Sequence, residues 1–174
     1  MFKPRTDCII DTDDFRFGYR ASAVILKNDE ILLMKNNRDP YLYTVGGAVC
    51  IGETSEEAVV REIFEETGMK CRIDRLVLIC EDMWISDKGL PGHQLDFVYL
   101  AYAESCCKPQ SGLYEEPMWI KISDLPSVNV CPEHIKHLDW SNPDLLPHIR
   151  MHHSRPSDKS PGNATINRNT DPRR

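Results

Sequence analysis

Apolar residues recur along this chain in two different periods, and the change of period divides it. From Arg20 the sequence reads RASAVILKNDEILLMK, two β-rich runs flanking Asn28-Asp29, a dipeptide suited to a tight hairpin turn. Two paired strands are predicted there. NNRDPYLYTV follows, polar and aromatic, as a loop and short strand that lead into Gly46-Gly47. From Ser55 to Thr67 the spacing turns helical: Val59, Val60, Ile63 and Phe64 fall on one side, Arg61, Glu62, Glu65 and Glu66 on the other. Thr54 with Glu57 three residues later makes a capping box that starts this helix, and Gly68 suits the left-handed residue that ends it. One face is expected to pack, and the other is acidic.

Beyond the helix, CRIDRLVLICEDMWI, HQLDFVYLAYAES and PMWIKI are three further β-like runs, the first two separated by the turn-rich SDKGLPG. CPEHIKHLDW and PDLLPHI suggest a second, shorter helical region. This order predicts an α/β fold in which helices cover a mixed β-sheet. The final stretch, SRPSDKSPGNATINRNTDPRR, has no aromatic and almost no aliphatic residue, so it cannot bury enough surface to order itself. The expected organisation is an N-terminal segment (1–14), one domain (15–150) and a disordered basic tail (151–174).

The bulk numbers narrow the setting. A chain of 174 residues with 41% hydrophobic and 28% charged residues is sized for one globular domain. No apolar run approaches the roughly 20 residues of a membrane span, and no secretory signal opens the sequence. Seven scattered cysteines without a CxxC pair read as reduced thiols, which with the rest predicts a cytoplasmic protein. A net charge of −6 argues against non-specific binding of nucleic acid.

Helix physics does not account for the acids. Glu62 and Glu66 stand four apart and repel by about 0.2 to 0.5 kcal/mol. Glu65 and Glu66 occupy the last turn, where the helix dipole prefers cations. A divalent cation relieves both penalties, because carboxylates at one-turn spacing offer hard oxygen ligands to Mg2+ or Mn2+. Mg2+ is usually shared with substrate phosphates, which points to phosphoryl or pyrophosphoryl chemistry.

Gly47, Glu53 and the run Arg61-Glu62-Ile63-Phe64-Glu65-Glu66-Thr67-Gly68-Met69 fill every fixed position of the pattern G-x5-E-x7-R-E-U-x-E-E-x-G-U, where U is bulky and aliphatic. The segment resembles the signature box of the Nudix hydrolase family. That resemblance implies an α/β/α sandwich with a mixed sheet and a loop-helix-loop catalytic motif, hydrolysing a nucleoside diphosphate linked to another moiety. Glu65 and Glu66 then look like metal ligands, and Glu62 like a ligand or the general base. Arg61 would hold Glu62 by a salt bridge, Glu53 would complete the metal site or stand behind it, and Gly47 would offer a backbone carbonyl. Val45 and Cys50 depart from many relatives at positions outside the fixed pattern.

Other residues are candidates around that box. A further ligand is expected from Glu115 or Glu116, with Glu116 preferred. The segment EDMWISDKGLPGHQLDFVYL resembles a family stretch lining the substrate pocket, which brings in Glu81, His93 and Asp96. Arg20, Lys35 and Arg38 are placed to meet phosphates, and Tyr41 and Tyr43 to stack on a base or pack; Arg20, Arg38, Tyr43 and His93 form the expected substrate set. Cys131, His134 and His137 are three apart, but with no fourth ligand at matching spacing they read as structural rather than as a zinc site. The partner expected is a nucleotide-derived small molecule, with no nucleic acid and no membrane, and with homodimerisation possible because relatives often pair. The alternative reading is a non-catalytic nucleotide or nucleotide-sugar sensor. An isopentenyl diphosphate isomerase and an RNA-decapping enzyme fit less well, the first for want of its altered box and the second of a basic groove.

Overall fold

A computed structural model of the chain describes residues 5–37, 39–103, 109–110, 115–138 and 148–154. Its elements are β1 (Ile9–Asp11), β2 (Arg16–Lys27), β3 (Glu30–Asn36), β4 (Leu42–Tyr43), β5 (Val45–Ala48), α1 (Ser55–Thr67), β6 (Cys71–Ile85), β7 (Pro91–Ala103), β8 (Glu115–Lys121), β9 (Val130–Cys131) and β10 (His148–Ser154). The strands form one mixed sheet in the order β10-β6-β7-β2-β3-β4-β9, with β1 and β5 also paired to β2 and β8 to β3. β2 runs parallel to β7, β10 to β6 and β4 to β9; the remaining pairs are antiparallel. Asn28 takes a left-handed φ of 55° in the β2–β3 turn, the conformation its short polar side chain tolerates.

Because strand side chains alternate, β2, β3 and β7 each supply both faces of the sheet. Ala21, Ala23, Ile25, Leu32, Met34, Tyr99 and Ala101 pack on one face with Ala58, Val59 and Ile63 of α1. Val24, Leu26, Ile31, Leu33, Val98 and Leu100 pack on the other, with Leu125 and Ile135. Burial of both faces explains why β2 reads as an unbroken apolar run rather than an alternating one.

The α/β class and mixed sheet match the expectation, with three corrections of detail. Of the second helical region, CPEHIKHLDW forms the 3₁₀ helix Glu133–His137, preceded by another at Leu125–Ser127, while residues 143–147 of PDLLPHI lie outside the described ones and His148 and Ile149 begin strand β10 instead. Pro126 at the start of one and Pro132 before the other leave room for only single turns. β10 carries regular structure through Ser154, four residues into the stretch expected as tail, while residues 155–174 lie outside the described ones. The third concerns α1. Val59 and Ile63 are buried as expected, but Val60 is 48% and Phe64 56% exposed, while Glu62 and Glu66 are partly buried. The helix is rotated so that part of its acidic side faces the sheet, and half of its apolar stripe is left outside. No described helix is long and apolar enough to cross a membrane.

Candidate active site

Both ends of α1 are fixed, which fixes where its acids point. Thr54 Oγ1 accepts from Glu57 N at 3.2 Å, and Glu57 Oε2 accepts from Thr54 N at 2.8 Å, closing the capping box. Gly68, at φ 66°, donates its N–H to Phe64 O at 2.8 Å. Position 68 requires a left-handed backbone, which glycine adopts without steric cost.

Arg61 is the centre of the acid cluster. Its Nε and Nη2 each donate at 2.8 Å to one oxygen of Glu53, a fork on a carboxylate. Nη2 also donates to Ala48 O at 3.0 Å, while Nη1 donates to Glu62 Oε1 at 2.5 Å and Glu65 Oε2 at 3.1 Å. Glu53 additionally accepts from Cys50 N at 3.0 Å. Arg61's hydrogen bonds outweigh burial and hold Glu53 down to about 2, so it stays ionised. Both its oxygens are engaged, which makes Glu53 a brace for Arg61 and the loop.

The other acids differ from one another. Glu62 lies against Gly47 so closely that a Cβ there would overlap its carboxylate, 2.5 Å from Cδ. Glu65 is nearly half exposed; burial raises it, but hydrogen bonds from Arg5 and Arg61 hold it below the usual carboxylate range. Arg5 Nη1 meets Glu65 Oε1 at 2.5 Å, a contact with no periodic signal in the sequence. Glu66 is the reverse case: burial pushes it up to about 8, opposed by Arg20 and reinforced by Glu115, with Gly46 N donating to it at 3.3 Å.

Among the described residues no three His, Cys, Asp or Glu already stand in a metal-holding arrangement, because Arg61 draws Glu53, Glu62 and Glu65 to itself. The donor set still fits a hard divalent cation. Glu66 is a partly buried acid whose charged form lacks compensation, and the missing side chain at Gly47 leaves room for the Glu62 carboxylate against the backbone.

Of the two candidates for a further acid, Glu115 rather than the preferred Glu116 faces the site. The two are neighbours on β8, so the pleat turns them to opposite sides. Glu116 is exposed and sits across from the exposed Lys35 in the β3–β8 register, whereas Glu115 faces Tyr43 and Glu66. Arg20, Tyr41 and Tyr43 line a cavity of about 270 Å³ together with Asp82, Gln94, Asp96 and Glu115. Arg20 donates through Nη2 to Thr44 O at 3.1 Å and stands 3.7 Å from Asp96. Burial, then Glu115, holds the Tyr43 phenol well above its ordinary range.

His93 does not belong to this cavity. It is three residues from Asp96 on β7 and so faces the other way, edge-on to Phe17 with ring centroids 5.8 Å apart, in a separate apolar cleft with Trp84 and Phe15. Asp82 rather than Glu81 lines the 270 Å³ cavity, again by strand alternation. Arg38 lies outside the described residues.

Residues 16–141 match the NUDIX domain family. An ADP-ribose pyrophosphatase of Methanocaldococcus jannaschii is 38% identical over 83 residues, covering 46% of this chain and 47% of that protein. Mouse diphosphoinositol polyphosphate phosphohydrolase 2 is 34% identical over 85 residues, 47% of this chain and 46% of that protein. The matched stretch thus spans about half the length of these relatives. A MutT protein from Bacillus halodurans superposes with a TM-score of 0.60 at 21% identity, covering 79% of this chain and 90% of that one, a likeness of fold.

Proposed function

The chain belongs to the NUDIX domain family, and on that premise we propose that it hydrolyses the pyrophosphate bond of a nucleoside diphosphate linked to another moiety, with Mg2+ or Mn2+. The observation that carries this reading is the acid set on α1: Glu62 and Glu65 held by Arg61, and Glu66, partly buried, held by Gly46 N and facing Arg20 and Glu115 of the cavity wall. The M. jannaschii and mouse relatives are by name hydrolases of diphosphate-bearing compounds, which agrees with it.

Glu62, Glu65, Glu66 and the Gly47 carbonyl are the groups that would hold the ion, and Glu115 stands close enough to Glu66 to add to them. The ion supplies charge neutralisation at the phosphates and a lowered pKa of the attacking water. Arg61 orients Glu62 through Nη1 and stays charged throughout, its pKa raised first by the hydrogen bond to Glu53. Glu62 is positioned to take the proton of the attacking water or to ligate, and Glu53 anchors the arginine from behind. Among the described residues, Arg5 and Arg20 are further cations near the acids, Arg5 paired with Glu65 and Arg20 with Thr44 O and Asp96, so either would exchange a partner to meet phosphate oxygens.

Purified protein incubated with ADP-ribose and a nucleotide panel is expected to release phosphate or mononucleotides with Mg2+ or Mn2+, to stop in EDTA and to recover when the ion returns. Glu65→Gln and Glu66→Gln are expected to lower kcat by about 10² to 10⁴. Tight binding of nucleotides with no product from any of them would instead favour a ligand sensor.

A further inference from the structure

We propose that Arg5, carried by the N-terminal arm, is an exchangeable phosphate clamp: it pairs with Glu65 while no ion is bound, and passes to a phosphate oxygen of the substrate once a divalent cation takes up that acid. This rests on the hydrolase reading for the ion and the diphosphate at α1.

The arm is held against the loop that precedes α1. Ile51 N donates to Thr6 O and Cys8 N to Val49 O, both at 2.8 Å, with Asp7 and Cys50 as the antiparallel pair between them. Cys50 N in turn donates to Glu53 Oε2 at 3.0 Å, so these backbone rungs continue into the brace of Arg61. Arg5 stands one residue before the first rung, and its Nη1 reaches Glu65 Oε1 at 2.5 Å. It lies outside residues 16–141, which match the family, and outside the fixed positions of the signature pattern. This cation is supplied by the chain's own arm.

Glu65 is shared by two arginines with unequal holds. Arg61, 13% exposed, also donates to both oxygens of Glu53, to Ala48 O and to Glu62 Oε1. Arg5, 58% exposed, bonds no group but Glu65 among the described residues. An exposed pair of this kind shifts an equilibrium by only about 1.5- to 5-fold, so Arg5 is the partner that gives way. A bare divalent ion at Glu65 meets the Arg5 guanidinium as a like charge, and the two compete for one carboxylate. A diphosphate on the ion reverses the sign, because its oxygens offer the guanidinium the planar, forked recognition that the carboxylate gave. The rungs keep the arm beside the helix during the exchange, which lowers the entropic cost of the new contact. Arg5 therefore opposes the ion alone and favours the ion with diphosphate.

Two calorimetric titrations of the full chain at low salt test this change of sign. The first adds MnCl2 alone. The second adds methylenediphosphonate, a non-hydrolysable diphosphate, to protein saturated with Mn2+. Arg5→Gln is expected to bind Mn2+ about 2- to 5-fold more tightly than the wild type and methylenediphosphonate about 5- to 30-fold more weakly. Arg5→Lys keeps the charge and loses the fork, so it is expected to restore wild-type Mn2+ affinity and only part of the diphosphonate affinity. Mn2+ binding by R5Q no tighter than wild type, unchanged diphosphonate affinity in R5Q, or a wild type that binds Mn2+ without the diphosphonate would each overturn the proposal. A wild type that binds no Mn2+ overturns it together with the hydrolase reading. Binding of both probes with no product from the nucleotide panel overturns the hydrolase reading alone, and the two R5Q titrations still decide the clamp.

Discussion

Toward α1, β2 presents Ala21 and Ala23; toward the opposite side of the sheet it presents Val24 and Leu26. Directly beneath the helix lie also Gly46 and Gly47, with Ala58 on the helix itself, while Ile25, Leu32, Met34 and Tyr99 fill the rest of that face; Ile31, Leu33, Val98 and Leu100 lie on the other, with the 3₁₀ turns. Small residues let α1 and the Gly46-Gly47 strand approach until Gly46 N donates to Glu66 and Arg61 to Ala48 O. Large ones fill volume and exclude water. The α1 face therefore adds a charged hydrogen-bond network to its packing, the other relies on packing, and the two should fail in different ways.

Arg61→Ala is expected to have the largest effect, because it strikes the network at its centre. It leaves Glu53 and Glu62 partly buried without their partner, costing about 3 to 5 kcal/mol of stability, and it releases Glu62 from its position, so kcat falls as well. Denaturant unfolding and turnover should both move. If only one does, the network does not couple fold and site.

Leu100→Ala makes the opposite cut. Leu100 is fully buried on the far face, and truncation is expected to cost about 2 to 5 kcal/mol while the folded fraction keeps its kcat. Active-site titration alongside a melt separates the two quantities.

His134, on the same face, gives that side a pH dependence. Burial, with His137 adding to it, lowers His134 to about 4 from 6.5. Below 6.5 the unfolded chain takes up a proton that the folded one refuses. The stabilisation is complete above about pH 6.5 and is lost as pH falls toward 4, roughly 3 kcal/mol in all. His134→Gln should flatten this part of the stability curve; an unchanged slope would mean other groups carry it.

Adjacent glycines divide the two behaviours within two residues. A Cβ on Gly46 would overlap the Ala21 carbonyl and come within 2.5 Å of Ser22 Cα, so Gly46→Ala is expected to cost about 1 to 3 kcal/mol. The three atoms nearest a Cβ on Gly47 all belong to the Glu62 carboxylate, the end of a side chain rather than backbone. Gly47→Ala should melt close to the wild type and turn over slowly.

Much of this was legible where the signal is local. The hairpin at Asn28, the capping box at Thr54 and the stop at Gly68 depend on residues within a few positions, and all three stand where the pattern predicts. The rotation of α1 was not legible, since helical spacing identifies a stripe without saying which side meets the sheet. Phe64 follows the apolar stripe yet is exposed, because Glu66 needs the inward position to face Arg20 and Gly46. Glu115 and Glu116, or Asp96 and His93, are equal candidates until the register of β8 on β3 and of β7 on β2 assigns each a side. Arg5 reaches Glu65 across 60 positions from an N-terminal arm with no pattern of its own.

Thr54→Ala is expected to have the smallest effect and draws the finest line between the faces. Its hydroxyl caps Glu57 N, and loss of such a cap costs about 1 kcal/mol. Thr54 is also next to Glu53, whose carboxylate fixes Arg61, so a frayed first turn has a direct route to the acid cluster. Two further anchors oppose that route: Glu53 is tied to Cys50 N, and Glu57 still accepts from the backbone N–H of residue 54. A melt lowered by a few degrees with unchanged kcat is therefore expected. A fall in kcat larger than the loss of stability would mean that the cap positions Arg61, and that the helix start belongs to the site.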